Sequence, residues 1–134
     1  MCLSLKSLSG GRIPIMNESA YNAAKYAMCG FAEAMLLDLA GTGVEVKLVL
    51  PGPIATEIWD QPDNEPALMD VEKVPAEECA AGIADAIEDD GFEYYVPPVF
   101  PGGIDAKEIA VGKTKHCDGY LRGMADYARS LRES

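Results

Sequence analysis

Val44-Glu45-Val46-Lys47-Leu48-Val49-Leu50 runs straight into Pro51-Gly52-Pro53. The seven residues alternate apolar and charged at first and then turn wholly apolar. That pattern predicts a strand largely buried on both faces, which the prolines and glycine stop. Upstream, Gly41 and Gly43 are the C-cap signals of a long helix, with Ser19 as its predicted N-cap. Inside that helix Ala24, Met28, Phe31, Met35 and Leu39 recur at intervals of three and four, which predicts one buried stripe. Further back, Pro14–Glu18 reads as loop, Ser9-Gly10-Gly11-Arg12 as a turn, and Met1–Leu5 as a short β-like run. Downstream, residues 56–74 keep no period and read as a loop with a short helix at most. Pro75 at the first helical position opens a second amphipathic helix, with Cys79, Ile83, Ala86 and Ile87 on one side and Gly91 closing it. Phe92–Val96 reads as a strand, Pro97-Pro98 and Pro101-Gly102-Gly103 as an irregular exit, and about Gly119–Leu131 as one weak charged helix. Strand, helix, strand, helix, strand is the order of parallel βαβ units, so the fold class is α/β. Because the first strand starts at residue 1, strands belonging before it are expected to be missing.

The 134 residues amount to a single domain, with no room for two independent cores. A net charge of −11 argues against nucleic acid and anionic lipid as partners, since both need a positive surface. No apolar run approaches the roughly 18 residues of a membrane span, and Met1–Leu5 is too short for a signal peptide. Cys2, Cys29, Cys79 and Cys117 show no CxxC spacing, and the middle two fall in apolar helical patterns where a thiol acts as a small hydrophobe. A reducing cytoplasm is therefore the expected location. His116-Cys117 pairs two soft ligands, but nothing nearby completes a tetrahedral metal set.

Tyr21 and Lys25 stand four apart on the predicted helix, on one face and one turn from each other. A tyrosine near its ordinary pKa of about 10 is a poor base at neutral pH. An ammonium within about 4–6 Å favours the phenolate and is expected to lower that pKa. The pair is thus competent to move a proton to a carbonyl or from an alcohol. Six tyrosines and seven lysines give on the order of 0.3 such pairs by chance, so the spacing alone is weak. Its context strengthens it, with a Ser/Gly turn upstream and a buried strand ending in Pro-Gly downstream.

Three stretches in order carry a family resemblance: Ser7-Leu8-Ser9-Gly10-Gly11, Ala20-Tyr21-Asn22-Ala23-Ala24-Lys25, and Pro51-Gly52-Pro53-Ile54-Ala55-Thr56-Glu57. In order and spacing the chain resembles the short-chain dehydrogenases/reductases, whose marks here are a serine-bearing strand end, YxxxK and PGxxxT. The likeness runs over about residues 1–100, with residues 101–134 left as an irregular or helical tail. It implies the C-terminal part of a Rossmann-like, doubly wound parallel sheet and an NAD(P)-dependent oxidoreductase acting on a small-molecule carbonyl or alcohol. Tyr21 would be the general acid/base, and Lys25 would hold the nicotinamide ribose and lower the tyrosine's pKa. A serine would bond the substrate oxygen, and backbone around Pro51 and Gly52, with Ile54 and Thr56, would hold the carboxamide of NAD or NADP. The helix from Tyr21 to Leu39 corresponds to a usual dimer contact, so a homodimer is implied.

Two departures qualify that picture. The family sets its serine thirteen residues before the tyrosine, where this chain has Leu8. Ser7 takes the role if Gly10-Gly11 holds a one-residue insertion, Ser9 otherwise, and Ser7 is the preferred candidate. The family's TGxxxGxG pyrophosphate turn is also absent. Gly41-Thr42-Gly43 cannot replace it, because it follows a helix and precedes a strand. The 134-residue chain alone is accordingly expected to bind NAD(P) poorly and to turn over nothing, and a non-catalytic binding or dimerising remnant is the rival reading. Trp59 either lines an apolar pocket or packs its own loop, and Phe92, Tyr94 and Tyr95 read as strand packing.

Overall fold

The computed structural model describes residues 2–6, 9–62, 68 and 71–133. Its elements are β1 (Cys2–Lys6), α1 (Ser19–Asp38), β2 (Glu45–Pro51), α2 (Ala76–Glu88) and β3 (Glu93–Val96). A hairpin of β4 (Val99–Phe100) and β5 (Ile104–Asp105) follows, then α3 (Ala106–Lys115) and α4 (Cys117–Glu133). Three-ten turns occupy Ser9–Gly11 and Glu57–Asp60.

The expected α/β class holds. The first three strands form one parallel sheet with β2 in the middle, Leu5 beside Leu48 and Leu50 beside Tyr95. Successive side chains of a strand point to opposite faces, so a central strand covered on both sides must be apolar throughout. Leu48, Leu50 and Tyr95 meet Cys29 and Ala32 of α1 and Ala106 and Ala110 of α3 on one face. Val49 and Val96 meet Cys79 and Ala86 of α2 on the other. Each buried leucine stabilises the fold by about 1.5–3 kcal/mol through removal of apolar surface from water. Cys29 and Cys79 are both buried, as their apolar settings predict.

Several local expectations are corrected. Ser19 is the first helical residue of α1 rather than its cap, and Glu18 holds the cap position without a side-chain cap bond. The stripe buried by α1 is Cys29 and Ala32, whereas Ala24 is exposed and Phe31 is 53% exposed. Small side chains let the helix approach the sheet closely, so the contact line runs through them and the larger residues lean outward. Gly41 and Gly43 lie past the C-cap Leu39, in the following turn, where both have positive φ. Pro75 is the residue before α2, and Ala76 is its first helical residue.

Lys47 is only 2% exposed. Its ammonium crosses to the end of α2, where it donates to the Asp89 carbonyl and, at 3.0 Å, to that of Gly91, with Glu45 at 3.3 Å. A cation there satisfies carbonyls beyond the helix C-terminus and lies favourably in its dipole.

The tail departs most. In place of one weak helix at 119–131 there are two helices, and Ala106 and Ala110 of α3 belong to the main core. The start of α3 is written in Asp105-Ala106-Lys107-Glu108, where Asp105 Oδ1 accepts the Glu108 N–H at 2.8 Å. No described helix is long and apolar enough to cross a membrane.

Candidate active site

Parallel pairing puts the carboxyl ends of β1, β2 and β3 along one edge of the sheet. Open α/β sheets bind ligands outside that edge. The Ser9–Gly11 turn follows β1, Pro51 and Gly52 end β2, and Pro97 follows β3, so the expected site segments share the edge.

Tyr21 and Lys25 lie on the first turns of α1, and the Ser9–Gly11 turn packs on them. A Cβ added at Gly10 would stand 3.2 Å from Tyr21 Cε1, 3.2 Å from Ile15 Cδ1 and 3.3 Å from Asn22 Oδ1. A side chain there would be tight, its neighbours having to give by a few tenths of an ångström. The loop between turn and helix is fixed by Asn22, whose Oδ1 accepts the Ile15 N–H at 3.0 Å and whose Nδ2 donates to the Ile15 carbonyl at 2.6 Å. Arg132 of α4 donates to Asn17 Oδ1 at 2.8 Å, and Asn17 has a left-handed backbone with φ 66. Ser9 opens the packed turn. Ser7, the preferred serine, lies outside the described residues.

The Lys25 ammonium sits over the Tyr21 ring, 5.3 Å from its centre. In the chain by itself the tyrosine's pKa moves the other way from the lowering expected of Lys25. Burial first, and the Glu18 carboxylate second, push the Tyr21 hydroxyl up to about 12. Both disfavour the phenolate, the one by desolvation and the other by like charge. At neutral pH this phenol holds its proton and can donate it.

Arg12 was not singled out by any motif, yet it ties the site loop to three elements. It pairs with Glu33 of α1, and its Nε and Nη2 donate to Glu93 Oε2 of β3 at 3.1 and 2.7 Å. Its carbonyl accepts from Tyr26 Oη at 3.0 Å and from Lys113 Nζ of α3 at 2.8 Å. Burial disfavours the guanidinium's charge, but the bonds to Glu33 and Glu93 outweigh it and hold the pKa above its ordinary value. Glu93 in turn accepts Tyr95 Oη at 2.8 Å.

At the end of β2, Pro51 and Gly52 are buried, and the Gly52 N–H donates to the Val96 carbonyl at 2.8 Å. A Cβ on Gly52 would lie 2.9 Å from Phe100 Cε1, so the glycine admits the ring of the β4–β5 hairpin. Ile54 bridges to Val74, with Ala55 N–H to Val74 carbonyl and Val74 N–H to Pro53 carbonyl both at 2.8 Å. Trp59 packs its own loop, donating Nε1 to the Ile54 carbonyl at 2.6 Å with Lys73 Nζ 5.0 Å from its ring centre. Thr56 is exposed and lines an open depression with Ala55, Glu57, Ile58, Gln61 and Ala76. Among the described residues no three His, Cys, Asp or Glu side chains gather as a metal site.

The short chain dehydrogenase family model matches residues 4–67, which include Tyr21, Lys25 and Pro51–Thr56. The Cyclic-di-GMP-binding biofilm dispersal mediator protein of Escherichia coli is 36% identical over 64 residues, 48% of this chain and 26% of that protein. The NADPH-dependent aldehyde reductase-like protein of Arabidopsis thaliana chloroplasts is 35% identical over 92 residues, 61% of this chain and 33% of that protein. A solved short chain dehydrogenase from Burkholderia cenocepacia, in complex with NADP, shares the fold with TM-score 0.68 at 24% identity, over 92% of this chain and 47% of its own. The chain therefore spans about a quarter to a third of these curated relatives and about half of the solved one. Residues 4–67 are thus similar in sequence to the short chain dehydrogenase family, and nine-tenths of the chain shares the fold of the solved structure.

Proposed function

We propose that the chain supplies the proton-transfer and nicotinamide side of an NAD(P)-dependent oxidoreductase working on a carbonyl/alcohol pair. The observation that carries this is Tyr21 under the Lys25 ammonium, packed by the Gly10 turn at the carboxyl edge of a parallel sheet. Tyr21, protonated at neutral pH, donates to the carbonyl oxygen of a bound substrate, with Ser7 or Ser9 bonding the same oxygen. Lys25 holds the ribose and balances the phenolate left after donation. Backbone at Pro51 and Gly52, with Ile54 and Thr56, would hold the carboxamide.

Exposed Thr56, which lines an open depression past the end of β2, supports a place there for the nicotinamide end of NAD or NADP. The cofactor supplies hydride chemistry when bound. A homodimer through α1 accords with Phe31 and Leu37, which are 53% and 75% exposed on that helix. The same surface favours the second reading, a non-catalytic dimerising module. A cytoplasmic location completes the proposal.

The test has two parts. Calorimetric titration of the 134-residue chain with NADPH and NADH should show binding weaker than micromolar, because these residues hold no Gly-rich pyrophosphate turn. Fused behind the dinucleotide-binding half of a related dehydrogenase, the chain should reduce simple aldehydes or ketones. Tyr21→Phe should then lower kcat by ~10²–10⁴-fold while the fold survives. A fusion that binds NADPH and reduces none of a broad carbonyl panel would leave the dimerising module as the function.

A further inference from the structure

Arg12 sits directly after the turn that packs on Tyr21, and it is gripped from three sides. The side chain takes Glu33 of α1 and Glu93 of β3, and the backbone carbonyl takes Tyr26 of α1 and Lys113 of α3. Lys113 also donates to Tyr26 Oη at 2.7 Å, which joins the two donors into one cluster. The Arg12 and Glu93 side chains are 25% and 27% exposed, so this pair is partly shielded from water and stronger than a rim contact. Glu33, half exposed, is the outer and weaker arm. The partner is itself fixed, because Tyr95 Oη holds the second oxygen of Glu93.

We propose that Arg12 is a positioning residue, clamping the chain past Gly10 and Gly11 so that the Ser9–Gly11 turn stays seated against the Tyr21 ring. It rests on the oxidoreductase reading for its consequence, though not for its geometry. Gly10 is two residues from Arg12 and Ile15 three, and each extended residue spans about 3.3–3.6 Å. A freed Arg12 therefore lets the Gly10 contact with the Tyr21 ring shift by more than the roughly 1 Å that matters to proton transfer. Nothing else in the cluster substitutes for it. Tyr26 and Lys113 hold only the carbonyl, and a lysine at position 12 cannot fork between two carboxylates as a planar guanidinium does.

The experiment uses the 134-residue chain with its tyrosines labelled at the ζ carbon, comparing wild type, Arg12→Gln, Arg12→Lys and Glu33→Gln. In Arg12→Gln the Tyr21 resonance should move, and the Ile15 amide, which donates to Asn22 Oδ1, should exchange at least about tenfold faster. Amides of Val49 and Tyr95 should keep their protection. Arg12→Lys should resemble Arg12→Gln, and Glu33→Gln should move the same signals less. In the fusion, Arg12→Gln should cut kcat by about tenfold or more, with KM and cofactor affinity within about twofold, as misplaced reacting groups do.

An unmoved Tyr21 resonance with unchanged Ile15 exchange in a folded Arg12→Gln overturns the proposal. So does an equal loss of protection across the sheet, since Arg12 would then be a general stabiliser. So does unchanged kcat beside a loosened loop. If Arg12→Gln does not fold, Glu33→Gln, which leaves the Glu93 pair intact, decides by the same readouts. A fusion inactive with every wild-type residue in place refutes the oxidoreductase reading alone, while resonance and exchange still decide for or against Arg12.

Discussion

At the scale of single residues, Tyr21 carries two opposed influences. Burial and Glu18 favour the phenol, while a cation such as the Lys25 ammonium over the ring is expected to favour the phenolate. The first two prevail, so the side chain is a donor at rest, and the lysine's effect is felt once the proton has left. Lys25→Met should therefore act twice in the fusion. It should weaken cofactor binding, and it should shift the pH profile of alcohol oxidation upward, since the phenolate loses its nearest compensating charge. Plotting kcat against pH for both directions checks this. A profile unmoved by Lys25→Met would show that the lysine contributes nothing to the proton affinity of Tyr21.

At the scale of elements, α3 shows how one short signal organises a segment. Asp105 ends β5, caps α3 through the Glu108 N–H, and so turns Ala106 and Ala110 into the core. Asp105→Ala should cost about 1 kcal/mol, the usual worth of such a cap. Denaturant unfolding measures it, and a change under about 0.3 kcal/mol would show that packing alone holds the helix. This cap was legible in the sequence, but the nearby prolines and glycines masked it. The strand at 44–50 was read with little error because periodicity, β-branching and its Pro-Gly-Pro stop all agree. The stripe of α1 was misread because hydropathy favours Phe31 and Leu39, while the close sheet favours Cys29 and Ala32. The Tyr21–Lys25 pair was legible because its spacing lies within one helix. Arg12 was not, since its partners stand at 26, 33, 93 and 113, and only the fold brings them together.

At the scale of the whole molecule, tyrosines distribute a single titration through the structure. Burial, and after it nearby acidic groups, raises Tyr95 beyond the ordinary range and Tyr21 to about 12. Tyr94 is raised by burial and then by Asp89, and Tyr120 by burial and then by Tyr26. A raised folded pKa means the folded chain keeps a proton that the unfolded chain gives up. The stabilisation is thus complete below the unfolded tyrosine value of about 10 and is lost as pH climbs through the folded values. The urea midpoint should hold steady from neutral pH to about 9 and then fall steeply between about 10 and 12. Growing net negative charge, already −11 at pH 7, pushes the same way through self-repulsion. Salt separates the two, because screening relieves long-range repulsion between exposed charges and barely touches the cost of burying a phenolate. Tyr21→Phe should flatten the alkaline limb at high salt as well as low. A limb abolished by about 1 M salt would assign the alkaline loss to net charge, and one unchanged by Tyr21→Phe would remove burial of Tyr21 as its cause.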